Sequence, residues 1–323
     1  MKKFMKVCAM AALIFILLGL LLGVTGSLGH GSPYFSFGEV LSAVTGGRVS
    51  GDSVDRWGEN VAEQIQENTG NVHYDLDDNM DFDEDYPIQE GDVERFDLGT
   101  ADAGITELKL EAGGCSVEVK TSEDEHFYVE AAGMRRFQGY VEGNTLTVRG
   151  TAKYTTDNWK GSITLYVPEG YRWERANLEL GAGSLEAEKM FAENLEAHVG
   201  AGQMVFDELN ADQSVFDCGM GQLIAEQLRS RVVDATVGMG SLQLTGDVTE
   251  QLTGECSMGE LQLELSGAQT DYNYDLSCGM GELTVGDDSY SGMAQKKQIN
   301  NNAVKSMDLE CAMGSVSVQF DRR

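Results

Sequence analysis

The chain has 323 residues, enough to bury a sizeable core, and sets 23 Lys+Arg against 53 Asp+Glu, a net charge of -30 with a pI near 4.3. A field of that sign repels phosphate backbones and anionic lipid surfaces, which excludes nucleic-acid binding as a function class. The 39 Gly with only 3 Pro, and short alternating runs of Val, Leu, Thr, Tyr and Phe, point to strands joined by many tight turns.

The first element is a membrane signal. Lys2, Lys3 and Lys6 precede an uncharged stretch, residues 7–29, whose centre reads AALIFILLGLLLGV. That length suffices to cross about 30 Å of hydrocarbon as a helix. The positive charges before it predict a short cytoplasmic tip, residues 1–6, and an extracytoplasmic remainder. A signal peptide, cleaved or not, would export the same residues. Cys8 lies at the start of this run, too early for a lipoprotein cleavage motif.

Residues 30–92 read as an acidic stalk or linker. Within it, DLDDNMDFDEDY (75–86) has the charge of a calcium loop without its geometry. An EF-hand needs Gly at the sixth position and Glu at the twelfth; from Asp77 these are Phe82 and Ile88, from Asp81 Tyr86 and Asp92. The sequence favours a self-repelling, unstructured segment.

From 93 to 320 the chain repeats. GAGSLEA, GAGQMVF, GMGQLIA, GMGSLQL, SMGELQLEL, GMGELTV and AMGSVSV share one pattern, with corner glycines Gly183, Gly202, Gly221, Gly240, Gly259, Gly281 and Gly314. The first four intervals are each 19 residues, and the next two, 22 and 33, carry inserted loops. LKLEAGGCSVEV supplies an earlier copy with Gly113 in the same role. Three residues before each glycine stands an apolar column: Leu110, Leu180, Val199, Cys218, Val237, Cys256, Cys278 and Cys311. Two and four residues after it the positions are again apolar, as in Leu242 and Leu244. Alternation on both sides of the glycine, with inward parity shifting across it, means strand, corner, strand. A 19-residue unit cannot cover its own apolar face, so units must stack. The predicted fold is all-β: a single-stranded β-solenoid (β-helix) with rungs of about 19 residues, behind one N-terminal transmembrane helix. Between Glu118 and Arg175 the period lapses, which predicts less regular or antiparallel first rungs with a hairpin at Gly143-Asn144. The loop 287–305 leaves the stack, and MDLECAMGSVSVQF closes it.

At ITLYVPEG followed by serial LELGAGSLE-type units, the chain resembles the putative-adhesin family of bacterial domains of unknown function, toast-rack-like β-solenoids, over about Asp97 to Phe320. The resemblance implies a surface location and a binding or scaffold role; it supplies no catalytic residue.

The residues themselves offer little chemistry. Gly219-Met220-Gly221 lacks the third glycine and the following helix of a dinucleotide site and recurs on every rung. The cysteines lack zinc-ligand spacing, and His30, His73, His126 and His198 do not supply it, so they read as small buried hydrophobes, with disulfides between neighbouring copies as the alternative. Met220, Met239, Met258, Met280 and Met313 precede the corner glycines. A copper-binding thioether ladder is weighed against packing at a corner, and packing is preferred because Ala182 and Ala201 take the same place. No carboxylate pair or regular row of Trp57, Trp159 and Trp173 marks a polysaccharide-active enzyme. The expectation is a non-enzymatic, membrane-anchored extracytoplasmic module, a surface scaffold or adhesin-like binder. It has no cofactor, no metal and no catalytic residue, and its partner is an unknown protein or envelope component. The alternative is an accessory of an envelope-stress or signalling system; a polysaccharide-active β-helix ranks below both.

Overall fold

The computed structural model describes Met80, residues 82–152, 161–291 and 295–321, and the backbone of 154–155 and 158–159. The chain divides into two compact units, residues 1–60 and 61–323, and every described residue belongs to the second. The apolar run 7–29, the tip 1–6 expected in the cytoplasm and most of the expected stalk lie outside the described residues; among those described, no helix is long and apolar enough to cross a membrane.

The described chain is all-β, apart from two single 3-10 turns. It runs β1 Gln89–Thr100, β2 Glu107–Gly113, β3 Cys115–Thr121, β4 His126–Glu142, β5 Thr145–Ala152, β6 Tyr154–Thr155, β7 Asn158–Trp159, β8 Gly161–Val167 and β9 Arg172–Leu180. Four long strands follow, β10 Gly183–Val199, β11 Gln203–Cys218, β12 Gln222–Val237 and β13 Ser241–Cys256. The last seven are β14 Glu260–Ser266, β15 Tyr272–Cys278, β16 Glu282–Val285, β17 Asp288–Ser291, β18 Gln295–Ile299, β19 Lys305–Cys311 and β20 Ser315–Asp321.

Strands β10 to β13 stack in parallel at a register of 19, which slips to 18 only where Leu228 to Ser230 of β12 pair with Gly246 to Val248 of β13: Leu185 pairs with Met204, Met204 with Leu223, and Leu223 with Leu242. Like residues therefore lie above one another, and the inward ones form continuous buried columns. Each rung bends more often than a single corner. In β12 the buried positions are Leu223 and Ala225, then Leu228 and Ser230, then Val233, Ala235 and Val237. Period two breaks at Glu226-Gln227 and again at Arg231-Val232, so each long strand has three straight sides, and the glycine corner makes the third bend. The simpler strand-corner-strand reading missed the two polar bends.

The first part of the unit is not a repeat of these rungs. β10 pairs with β3 along its start and with β9 along its end, and β4 pairs antiparallel with both β5 and β8. With β2–β5, β2–β9 and β3–β8, seven strands close a ring of pairings, a barrel of β4, β5, β2, β9, β10, β3 and β8. The antiparallel first rungs and the hairpin at Gly143-Asn144 expected between 118 and 175 are present, but a single-stranded solenoid is corrected here: two long strands, β4 and β10, serve both sides and close the sheet. Phe127, Tyr171 and Trp173 fill the space beside it, with ring centroids 4.9–5.4 Å apart.

Chain order and spatial order diverge at both ends. β2 and β3 come early but sit between β5 and β9 and between β8 and β10. At the other end β19 lies between β13 and β15, and β20 between β14 and β16. The final repeat therefore inserts one place inside the stack and does not close it; the antiparallel strands β17 and β18 do.

The body also begins before 93. β1 starts at Gln89, and the end of the acidic stretch is docked, contrary to a free linker. Tyr86 stacks on Tyr140 with centroids 3.7 Å apart, and the Arg136 guanidinium covers the Phe82 ring. The buried Gln138 amide donates to the Asp83 and Tyr86 carbonyls and accepts from the Asp83 N–H at 3.0 Å. Two aromatics and one satisfied amide outweigh the mutual repulsion of three carboxylates that remain in solvent.

Candidate functional site: the glycine corner and its methionine ladder

The corner between one rung and the next is built from the backbone outward. Gly202, Gly221, Gly240 and Gly259 each face the glycine of the preceding rung so closely that a Cβ would lie 2.2–2.7 Å from its carbonyl oxygen. Gly314 stands in the same way on Gly259, and Gly281 on Gly314, so the column runs 183, 202, 221, 240, 259, 314, 281 in space. Gly183 faces Cys115, and Cys115 faces Gly161. The first copy is therefore displaced by two residues from the expected alignment. Gly113 stands at the level of Gly181, and Ala112, not Leu110, pairs with Leu180; Leu110 pairs with Leu178. The doublet Gly113-Gly114 hid this offset, because either glycine can be matched to the repeat.

On the inner side of the corner the predicted column is present and buried. Leu180, Val199, Cys218, Val237, Cys256, Cys311 and Cys278 follow one another across paired strands, each at most 2% exposed. The thiols donate to corner carbonyls: Cys218 to Gly221 at 3.2 Å, Cys311 to Gly314 at 3.2 Å and Cys278 to Gly281 at 3.4 Å. The five described cysteines are free. Burial pushes the Cys218 and Cys278 thiols up to about 11 and Cys115 up to about 12. Cys256 and Cys311 share a hydrogen bond, which lowers Cys256 and raises Cys311 from the ordinary thiol value.

On the outer side stand the methionines. Their N–H groups donate across the corner: Met220 to Gly200, Met239 to Gly219, Met258 to Gly238, Met313 to Ser257 and Met280 to Ala312, all at 2.7–2.8 Å. Their side chains are 39–55% exposed, so packing inside the corner, the expected role, does not occur. The corner turns the position before the glycine outward, while the position two residues earlier turns inward. The five form a ladder on consecutive rungs in the order 220, 239, 258, 313, 280, at a rung spacing of about 4.8 Å. A shallow open groove of about 710 Å³ runs along it, lined by Met220, Met239, Met258 and Met313, the corner glycines, and Ser241, Glu260 and Ser315.

A second cavity, about 410 Å³, lies by the ring of strands and is lined by Ser122 to Glu125 and Pro168 to Arg172. The His126 N–H and the Tyr128 and Ser122 hydroxyls hold the Asp124 carboxyl below the usual carboxylate range. That carboxylate is ionised and fully hydrogen-bonded, and so unsuited to act as a general acid.

Residues 105–295 match the Toastrack DUF4097 family. The chain belongs to the toastrack family. Among solved structures, it is similar to a "putative adhesin" from Bacteroides fragilis, at 12% identity and a TM-score of 0.39, over 72% of this chain and 97% of the other. It is also similar to a "putative cell adhesion protein" from Clostridium sporogenes, at 9% identity and a TM-score of 0.30, over 71% and 100%. A third is a "putative lipid binding protein" from Parabacteroides distasonis, at 16% identity and a TM-score of 0.37, over 70% and 98%. No curated protein matches.

Proposed function

We propose that this toastrack protein is a membrane-anchored, extracytoplasmic β-solenoid that acts as a non-catalytic binding module, with the corner that carries the methionine ladder as its contact edge. The observation that carries the reading is the exposure of Met220, Met239, Met258, Met313 and Met280 on consecutive rungs. Burying a Met side chain stabilises by about 1.5–3 kcal/mol, and here five neighbours, 39–55% exposed, forgo about half of it. Contiguous exposed apolar surface on a hydrogen-bonded frame marks an interaction edge. Anchoring rests on Lys2, Lys3 and Lys6 before the apolar run 7–29.

The test is site-specific photo-crosslinking on intact cells, with the crosslinker at Met239 and, as a control at a different bend of the rung, at the exposed Glu226. A discrete adduct from Met239 alone, degraded by protease added outside the cells, is the expected result. Equal labelling from both positions, or adducts protected until lysis, would refute the edge or the topology respectively.

A further inference from the structure

We infer that the ladder of Met220, Met239, Met258, Met313 and Met280 binds a soft monovalent metal ion of the Cu(I) or Ag(I) class through its thioether sulfurs. The inference deepens the reading of this corner as a binding edge. A thioether is neutral and polarizable, a poor acceptor for water and for hard cations and a good ligand for soft ones. Each ladder methionine is anchored by its own backbone hydrogen bond and is 39–55% exposed, which leaves its thioether open to solvent on the outer side of the corner. The rungs are about 4.8 Å apart, and three rotatable bonds per side chain let the sulfurs of adjacent rungs converge on one ion between them.

Two features of the surroundings favour a cation here. The groove wall supplies Ser241, Ser315 and Glu260, polar groups that tolerate a charge, and the net charge of -30 draws cations toward the protein. The four thiols of the same corner are soft donors too, yet they lie on the inner side of the glycine column. The Cys218 sulfur is only 2.9 Å, and the Cys256 sulfur 2.7 Å, from where a side chain on the covering glycine would begin. They are buried beneath the covering glycines, so the exposed sulfurs act first. An apolar docking edge needs only bulk and oiliness at these positions, whereas coordination needs sulfur. Leucine separates the two.

The experiment is competition of the full-length protein, in detergent and under reductant, against the chromophoric Cu(I) chelator bicinchoninate. Three proteins are compared: wild type, Met239→Leu/Met258→Leu/Met313→Leu, and Cys218→Val/Cys256→Val/Cys278→Val/Cys311→Val. The expected result is Cu(I) withdrawn from the chelator by the wild type and by the cysteine variant. The leucine variant should bind at least tenfold more weakly, with an unchanged melting temperature. Affinity corrected for the chelator should also be flat between about pH 6 and 8, because a thioether carries no proton to lose, whereas thiol ligation would release one per sulfur. Equal binding by the leucine variant, loss confined to the cysteine variant, or a rise in affinity with pH overturns the proposal. The crosslinking result stays separate. A leucine ladder that still forms its adduct, in a protein that never bound Cu(I), removes the metal alone; Cu(I) bound without any adduct removes the docking partner alone.

Discussion

Replacing Gly221 with alanine tests the corner directly. The new Cβ would lie 2.2 Å from the Gly202 carbonyl oxygen, 2.7 Å from a Val199 methyl and 3.0 Å from the Gly202 nitrogen. Ordinary contact begins near 3.4 Å, so the rungs must part by about 1 Å at this point. The obstacle is backbone, and that backbone is itself bonded: Gln222 donates to Gly202 at 2.9 Å, and Met220 to Gly200 at 2.8 Å. Overpacking costs about 1–3 kcal/mol. Loss of one or two corner hydrogen bonds adds about 0.5–1.5 kcal/mol each. The sum, about 1.5–6 kcal/mol, corresponds to a fall in Tm on the order of 3–24 °C for a unit of this size. Gly181 is the control. Its Cβ would meet Ala112 oxygen at an ordinary 3.7 Å, so Gly181→Ala should stay within about 1 kcal/mol and tend to stabilise through the unfolded chain. Urea unfolding followed by circular dichroism compares the two. Equal midpoints would show that close approach of rungs is not what requires glycine at this column.

Leu242 is fully buried, and Leu242→Asp should cost several kcal/mol, while Gln243→Ala beside it stays within about 0.5 kcal/mol; equal thermal shifts would contradict the inward columns. Burial, first, raises the Asp234, Glu255 and Asp308 carboxyls, and a hydrogen bond to Asp217 raises His198. Each contributes stability that is full below its unfolded pKa and is lost as pH rises through the folded value. Asp124, lowered, acts oppositely and only at the acid end. The carboxyl contributions are lost from just above the ordinary carboxylate range and that of His198 from above the ordinary imidazole range, so Tm should be higher near about pH 5.5 than near pH 8 through His198, with His198→Gln reducing the difference; a Tm that rises steadily to pH 8 refutes the assignment. Thiol labelling of denatured protein prepared without reductant should find Cys115, Cys218, Cys256, Cys278 and Cys311 all reactive, and Cys218→Val should cost about 1 kcal/mol or less because Val199 and Val237 already occupy its column. A blocked pair among them would mean a disulfide across the stack.

The 19-residue period was legible because a backbone clash recurs once per rung and only glycine relieves it. The two other bends were not, because Glu226-Gln227, like Asp207-Glu208 in β11, are ordinary polar residues whose only signature is a three-residue step between buried positions, from Ala225 to Leu228. The inward column was readable from its apolar alternation. The outward turn of the ladder was not, since methionine suits both a core and a surface edge, and only the corner hydrogen bonds fix its direction. The docking of Phe82 and Tyr86 was masked by the carboxylates around them. Spatial order was the least legible, because the copies at Gly281 and Gly314 are equivalent in pattern and can exchange places without altering a single column.

That exchange has a structural consequence for the edge that carries the methionines. A parallel stack exposes an unpaired strand at its end, a template for further pairing. Here β16 turns back as β17 and β15 is covered by β18, whose side chains Gln295 to Gln298 are exposed and include Lys296 and Lys297, residues that discourage further strand addition. Placing these antiparallel caps in the middle of the final sequence interval would break the ladder if the last rung followed them in space. Because β19 and β20 instead return to the place between β13–β14 and β15–β16, Met313 fills the step between Met258 and Met280. The caps stay outermost, and five methionines remain on consecutive rungs. The threading therefore satisfies two demands at once, a closed end and an unbroken sulfur edge. A simple sequential stack with the same loops would meet only one of them.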